Sequence, residues 1–272
     1  MRWLRQLAYR FNSKEWWRIK AERLIYTNNK DRVFVPLSKM VAGHMRDYYG
    51  IPNERLRLIY NGTDLSQFHP ERKSAVSQKL RRQVGIGGEL VYLFVSLNYR
   101  RKGLHKLIEA AGRMKRSGQT RPFRILVVGS GRRGKYISLA KKWNVSEELV
   151  FAGEQKNVQD WYLAGDVFVL PTFYDPCSLV IFESLASGLP TITTRQNGAG
   201  EIITDGEQGC VVDSANDTDA LAKAMSIHFG KEELDRQSLN ARALAESYPI
   251  HNSYQSMEEL YFEIAQAKLA QP

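Results

Sequence analysis

The sequence predicts an α/β protein built on a doubly wound parallel sheet. Two observations carry that prediction: short, continuously apolar runs such as LVYLFVSL (90–97), FRILVVG (123–129) and DVFVLPT (166–172), and a helical pattern after each of them. A strand buried on both faces reads as an unbroken apolar run, and strand–helix alternation is how a parallel sheet is wound.

Residues 1–28 read as one or two basic, aromatic-rich helices, with Trp16, Ile19 and Leu24 at helical spacing in EWWRIKAERLIY. RVFVPLS (32–38) reads as a strand, KMVAGHMRDYYG (39–50) as a helix closed by its glycine, and RLRLIYN (55–61) as a second strand. NGTDLSQFHP (61–70) is dense in turn residues and reads as a linker before the polar helix SAVSQKLRRQVG. Regular units begin near residue 88. The strand at 90–97 leads through a basic loop into GLHKLIEAAGRM, and the strand at 123–129 leads through a Gly-rich loop into a helix ending at Trp143. LVFAG (149–153) is a short strand before the short helix VQDWYLAG, and DVFVLPT leads to the apolar helix SLVIFESLASG. PTITT (190–194) and CVVD (210–213) are the last strands, and helices near 217–228, 231–247 and 253–269 lie outside the sheet. The chain thus divides into residues 1–61, a junction at 62–88, the sheet domain at 89–250, and a terminal helix at 251–272 that packs back on the first domain.

Composition narrows the class. Hydrophobic residues at 43% and charged residues at 25% are those of an ordinary globular protein. No apolar run approaches the ~20 residues of a membrane-spanning helix, and the amino terminus lacks the apolar core of a signal peptide. Cys177 and Cys210 are too few for a disulfide scaffold. The expectation is a cytoplasmic protein with reduced thiols. A net charge of +10 suits acidic partners: nucleic acid, anionic lipid or phosphorylated small molecules. No nucleic-acid recognition motif is present, so nucleic acid is set aside. Basic residues interleaved with Trp3, Trp16 and Trp17 suit peripheral contact with an anionic membrane. The competing reading is a helix whose aromatics pack on the sheet.

Two loops place cations at helix starts. YRRKG sets Arg100, Arg101 and Lys102 before the helix beginning near Gly103. Cations there oppose the helix dipole unless an anion offsets them, and free N–H groups with the side chains would hold that anion. VVGSGRRGKY spells G-x-G-x-x-G at Gly129, Gly131 and Gly134 between a strand and a helix, with Glu154 20 residues after Gly134. A nicotinamide-dinucleotide reading therefore stands as an alternative. Against it, the fingerprint normally opens the first unit of its domain, and another unit precedes it here.

YDPCSLVIFESLASGLP places Asp175 at a turn before a helix and Glu183 inside that helix, among Leu179, Val180, Ile181, Phe182 and Leu185. A carboxylate on so apolar a helix needs hydrogen bonds to be buried, and the paired hydroxyls of a ribose would supply them. Asp217 and Asp219 read as a helix cap rather than a metal site. His44, His69, His105, His228 and His251 have no ligand spacing, so no metal is expected.

From Val35 to about Val212 the chain resembles the retaining glycosyltransferases of family 4, two-Rossmann enzymes of the B fold, most closely the lipopolysaccharide core glucosyltransferase branch. IYNGTDLSQFHP, RRKG, FRILVVGSG and the D-x7-E segment running into ASGLP match in order. The resemblance implies a Rossmann-like donor-binding domain beside the remnant of a second, acceptor-binding Rossmann-like domain at 1–61. It implies metal-independent transfer of a hexose from a nucleotide-sugar, UDP-glucose by resemblance, to a glycan or lipid-linked acceptor, with no cofactor. Arg101 and Lys102 would hold the diphosphate, and Asp175 would face the sugar hydroxyls. The amides of Ser178, Leu179 and Val180 would meet sugar and phosphate, Glu183 the ribose, and Gly153 and Glu154 the base. The family usually has Glu where Asp175 stands, which bears on the identity of the sugar. Because most of an amino-terminal acceptor domain has no counterpart, the expectation is weak or absent activity alone, or a partner chain that supplies the missing half. The alternative at this level is a non-catalytic nucleotide-sugar-binding module.

Overall fold

Six parallel strands form the sheet: β1 (Leu90–Val95), β2 (Phe123–Val128), β3 (Leu149–Gly153), β4 (Val167–Leu170), β5 (Thr191–Thr194) and β6 (Gly209–Val212). They pair in the order β3-β2-β1-β4-β5-β6, with Leu93 in register with Leu126 on one side and Phe168 on the other. All six residues of β1 and all four of β4 are buried, which is why these strands contain no polar alternation. Tyr92 is the polar exception in β1, and its hydroxyl donates to the Met225 carbonyl at 2.7 Å. The computed structural model describes residues 13–28, 31–118 and 121–270 and divides into two compact units, residues 1–59 and 60–272.

The described helices are α1 (Ser13–Thr27), α2 (Lys39–Tyr49), α3 (Lys73–Gln83), α4 (Leu104–Arg116), α5 (Gly134–Trp143), α6 (Val158–Tyr162), α7 (Leu179–Ala186), α8 (Thr218–Ile227), α9 (Lys231–Ala245) and α10 (Ile250–Leu269). In α4 the buried side chains Leu104, Leu107, Ile108, Ala111 and Met114 fall on one helical face against the sheet. Sheet and helices enclose one core in the second unit, running from Phe68 to Ala245. Strand order reverses between β1 and β4. The loops leaving the carboxyl ends of these two strands flank the crevice in which doubly wound sheets bind ligands.

Residues 61–70 are not a free linker. Phe68 is 6% exposed and belongs to the core of the second unit. The Asp64 carboxylate accepts from the Ser66 and Gln67 amides, closing a turn. Thr63 pairs with the carboxyl-terminal segment, its N–H donating to the Tyr248 carbonyl while its carbonyl accepts from Ile250 N–H.

The first unit departs from the expected strands. Over 32–38 and 55–61 the pairing among the described residues is one parallel bridge, Phe34 to Leu56, continued by a hydrogen bond from Ile59 N–H to the Pro36 carbonyl at 3.2 Å. Around it, the Tyr26 ring lies 5.3 Å from Phe34 and 4.4 Å from Tyr49, and the Tyr49 hydroxyl donates to Glu22 at 2.6 Å. Helix α2 starts at the Ser38 cap, whose hydroxyl accepts from Val41 N–H, and stops at Gly50 in the left-handed region at φ 66°. On α1, Trp16 and Trp17 are exposed and meet edge to face at 4.9 Å, with Lys20 over both rings. Trp3 lies outside the described residues. No described helix is long and apolar enough to cross a membrane.

Candidate functional site

The crevice at the β1/β4 reversal is built from two loops pressed together. Residues 96–103 leave β1 as a tight turn in which Lys102 N–H donates to the Asn98 carbonyl and Leu104 N–H to the Tyr99 carbonyl. Residues 171–178 leave β4. Phe173 N–H and the Thr172 hydroxyl both donate to the Arg101 carbonyl, at 3.0 and 3.2 Å. A β-carbon on Gly103 would lie 1.9 Å from the Pro171 carbonyl oxygen, so only glycine permits this approach. The β4 loop is joined in turn to the loop after β5: Asp175 N–H donates to the Gln196 carbonyl, and Gly198 N–H to the Asp175 carbonyl.

Lys102 and Asp175, predicted separately, meet here. The Lys102 ammonium donates to Asp175 Oδ2 and, at 2.7 Å, to Ser178 Oγ. Both charged residues are buried. Burial pulls the Lys102 ammonium below the usual lysine range, against the opposing pull of Asp175. Asp175 Oδ1 accepts from Cys177 N–H at 3.2 Å, so the carboxylate closes the turn into α7 as well as pairing the lysine. An ammonium has three donors, and two of them are used among the described residues.

Helix α7 begins beside this pair. The Ser178 amide donates to Asn197 Oδ1 at 3.3 Å. The next two amides, Leu179 and Val180, have no hydrogen-bond acceptor among the described residues, as the first N–H groups of a helix do not until a ligand or water meets them. The Leu179 side chain is exposed and Val180 half-buried. One turn further, Glu183 is half-buried, and its Oε2 accepts from the Tyr162 hydroxyl at 2.6 Å. Burial pushes the Glu183 carboxyl above the usual range, and the Tyr162 hydrogen bond opposes that push. Arg101 is exposed and, with Asn98, Arg100, His105 and Phe173, lines a cavity of about 470 Å³ in which His105 stacks on Phe173 at 5.3 Å. Gly153, at φ 80°, accepts from Gly129 N–H through its carbonyl, and Glu154 is exposed.

The Gly-rich loop has a packing explanation. It follows β2, one strand away from the reversal. A β-carbon on Gly129 would stand 2.0 Å from the Ser96 carbonyl oxygen, and one on Gly131 would stand 2.5 Å from the Tyr99 ring. These glycines let the β1 and β2 loops lie against one another, while Gly134 opens onto free space. Asp217 caps α8, accepting from Ala220 N–H at 2.9 Å, and Asp219 pairs with Arg113. Three site partners were not singled out from sequence: Tyr162, Asn197 and Asn61, whose amide donates to the Cys177 carbonyl. Tyr162 carried the clearest signal, because a buried tyrosine needs a partner for its hydroxyl.

A family model described as glycosyl transferases group 1 matches residues 89–228, and one described as glycosyltransferase family 4 matches residues 2–67. A D-inositol 3-phosphate glycosyltransferase of Nocardia farcinica is 27% identical over 230 residues, which is 81% of this chain and 50% of that protein. The chain spans about half the length of the curated relatives it matches. Among solved structures, WaaG, a glycosyltransferase involved in lipopolysaccharide biosynthesis, superposes with a TM-score of 0.79 at 22% identity, covering 93% of this chain and 69% of that one. Anabaena Alr3699/HepE in complex with UDP-glucose superposes with a TM-score of 0.73 at 20% identity, covering 84% of this chain and 63% of that one.

Proposed function

The chain belongs to the group 1 glycosyl transferases, and from that membership we propose that its β1/β4 crevice binds a nucleotide-sugar and promotes retaining hexosyl transfer to a glycan or lipid-linked saccharide. The observation that carries this reading is the Lys102–Asp175–Ser178 cluster beside the unpaired Leu179 and Val180 amides, with Glu183 one turn behind. A diphosphate there meets the third Lys102 donor, the helix-end amides and Arg101. Glu183 accepts from the ribose hydroxyls through its oxygen that Tyr162 leaves free. As the glycosidic bond breaks, charge gathers on the departing diphosphate, and preorganised donors stabilise that charge in the transition state. These donors do the work that the reading asks of them without a metal. UDP is the nucleotide and glucose the sugar the resemblance favours, and the complex of Anabaena Alr3699/HepE with UDP-glucose supports the choice by analogy.

Calorimetric titration with UDP, UDP-glucose and NAD tests the reading. UDP is expected to bind saturably, and Glu183→Ala to weaken it about 10- to 100-fold, the size of a lost hydrogen bond to a charged group. Saturable NAD binding with no response to UDP, GDP or ADP would instead make the Gly-rich loop the ligand site and sink the proposal.

A further inference from the structure

Glu183 is an unusual residue for its place. It sits on a helix whose neighbours Ile181, Phe182, Ser184, Leu185 and Ala186 are buried, and its carboxylate has one hydrogen bond among the described residues, from the Tyr162 hydroxyl. Tyr162 is wholly buried. Its ring is wedged edge to face against Phe68 at 5.5 Å and tilted on Phe168 at 5.8 Å, so the hydroxyl is carried on a rigid mount rather than a flexible arm. The two residues come from different elements, 21 positions apart, at the ends of α6 and the middle of α7.

We propose that Tyr162 is the positioning residue for ribose recognition: by donating to Glu183 Oε2 it locks the carboxylate in one rotamer and presents Oε1 to the nucleotide hydroxyls. This inference rests on the donor-site reading above and goes beyond it, because it assigns the selection of ribose over deoxyribose to a residue that does not touch the ligand. A glutamate has three side-chain torsions, and a carboxylate free to turn in a half-buried slot meets a hydroxyl pair in few of its orientations. A short hydrogen bond from an immobile phenol removes that freedom before the ligand arrives, which is preorganisation. The same bond serves a second purpose. Burial favours the neutral carboxylic acid, which would present a donor to the ribose where an acceptor is wanted. The phenol counters this, and apart from burial it is the one group among the described residues acting on the Glu183 carboxyl. Burial and the adjacent carboxylate hold the phenol itself far above its ordinary pKa, so it stays protonated and the direction of the bond is fixed. The surroundings also explain why a tyrosine serves here. Only a side chain that fills the core space between Phe68 and Phe168 and ends in a donor can reach Glu183 from within the core.

The experiment compares UDP with 2′-deoxy-UDP in four forms of the full chain: the native protein, Tyr162→Phe, Glu183→Gln and the double variant. Tyr162→Phe keeps the ring and removes only the hydroxyl, and the melting transition of each variant checks that it folds. Tyr162→Phe is expected to weaken UDP binding by about tenfold or more while weakening 2′-deoxy-UDP, which keeps only one of the two hydroxyls, markedly less, so that preference for the ribonucleotide shrinks. The double variant should lose no more of that preference than Glu183→Gln alone, since both act through one carboxylate. The pH at which UDP binding reaches half its alkaline strength should also move upward in Tyr162→Phe, because the bond that held the carboxyl down is gone. Preference lost in Glu183→Gln but kept in Tyr162→Phe overturns the inference and leaves the donor site standing. Preference kept in Glu183→Gln removes the donor-site assignment of Glu183, and this inference falls with it. An equal loss of both nucleotides in Tyr162→Phe makes the bond merely structural and also overturns it.

Discussion

Under the proposed donor-site reading, exchanging Lys102 for Met is expected to lower UDP release from UDP-glucose by about 10²- to 10³-fold, the range seen when a preorganised donor is removed from a developing negative charge. The same change is expected to lower the melting transition. It leaves the Asp175 carboxylate buried with, among the described residues, only Cys177 N–H and no paired cation, and breaking one side of a buried ion pair costs about 3–5 kcal/mol. The two effects have different origins and can be separated. Adding Asp175→Asn to Lys102→Met removes the stranded charge, so the double variant should recover most of the lost stability while staying as inactive as the single one. Lys102→Arg should not rescue activity. The ammonium occupies a slot defined by Asp175 Oδ2 and Ser178 Oγ, and a planar guanidinium does not present its donors in that arrangement. UDP release by Lys102→Met at the native rate would remove Lys102 from the leaving-group site.

The sheet was legible because its strands are buried on both faces, so β1, β2 and β4 stand out as apolar runs wherever they are read. The segments 32–38 and 55–61 misled for the complementary reason. Their β-branched and apolar residues suit a strand, but a strand exists only where a partner extends the ladder, and among the described residues the pairing amounts to the Phe34–Leu56 bridge and one bond from Ile59 N–H to the Pro36 carbonyl. NGTDLSQFHP shows a second limit: its turn residues gave the backbone's shape correctly, with Asp64 closing the turn, while nothing in them said that Phe68 enters the core. At the candidate site, the cations Arg100, Arg101 and Lys102 and the carboxylates Asp175 and Glu183 were legible from residue type and spacing. Their pairings were not, because Lys102 meets Asp175 across 73 positions and Tyr162 meets Glu183 across 21. Those contacts depend on strand order, which brings the β1 and β4 loops together and which no local pattern encodes. The G-x-G-x-x-G spelling is the converse case. Its first two glycines are required by Ser96 and Tyr99, so loop packing accounts for them without a dinucleotide.

Gly103→Ala is expected to be the most damaging single-methyl substitution at the site. The residue sits at φ 81° and ψ 22°, a left-handed conformation that costs an alanine about 1–2 kcal/mol. Its new β-carbon would stand 1.9 Å from the Pro171 carbonyl oxygen and 2.8 Å from the carbonyl carbon, so backbone rather than a side-chain tip must retreat. Overpacking of that kind adds about 1–3 kcal/mol, and a domain of this size loses roughly 2–4 °C of melting temperature per kcal/mol. A fall of about 4–20 °C follows from these ranges. Binding should suffer beyond what stability explains. Separating the loops breaks the Phe173 and Thr172 bonds to the Arg101 carbonyl and carries Lys102 away from Asp175 and Ser178. UDP affinity measured well below the melting transition should therefore drop sharply in the folded variant. Gly134→Ala is the matched control: it has ordinary φ, open space around its β-carbon and a place at the start of α5. It should stay within about 0.5 kcal/mol of the native protein or gain slightly from the better helix former. If Gly103→Ala melts and binds UDP as the native chain does, the loops are not held by this contact, and the position of Lys102 needs another cause.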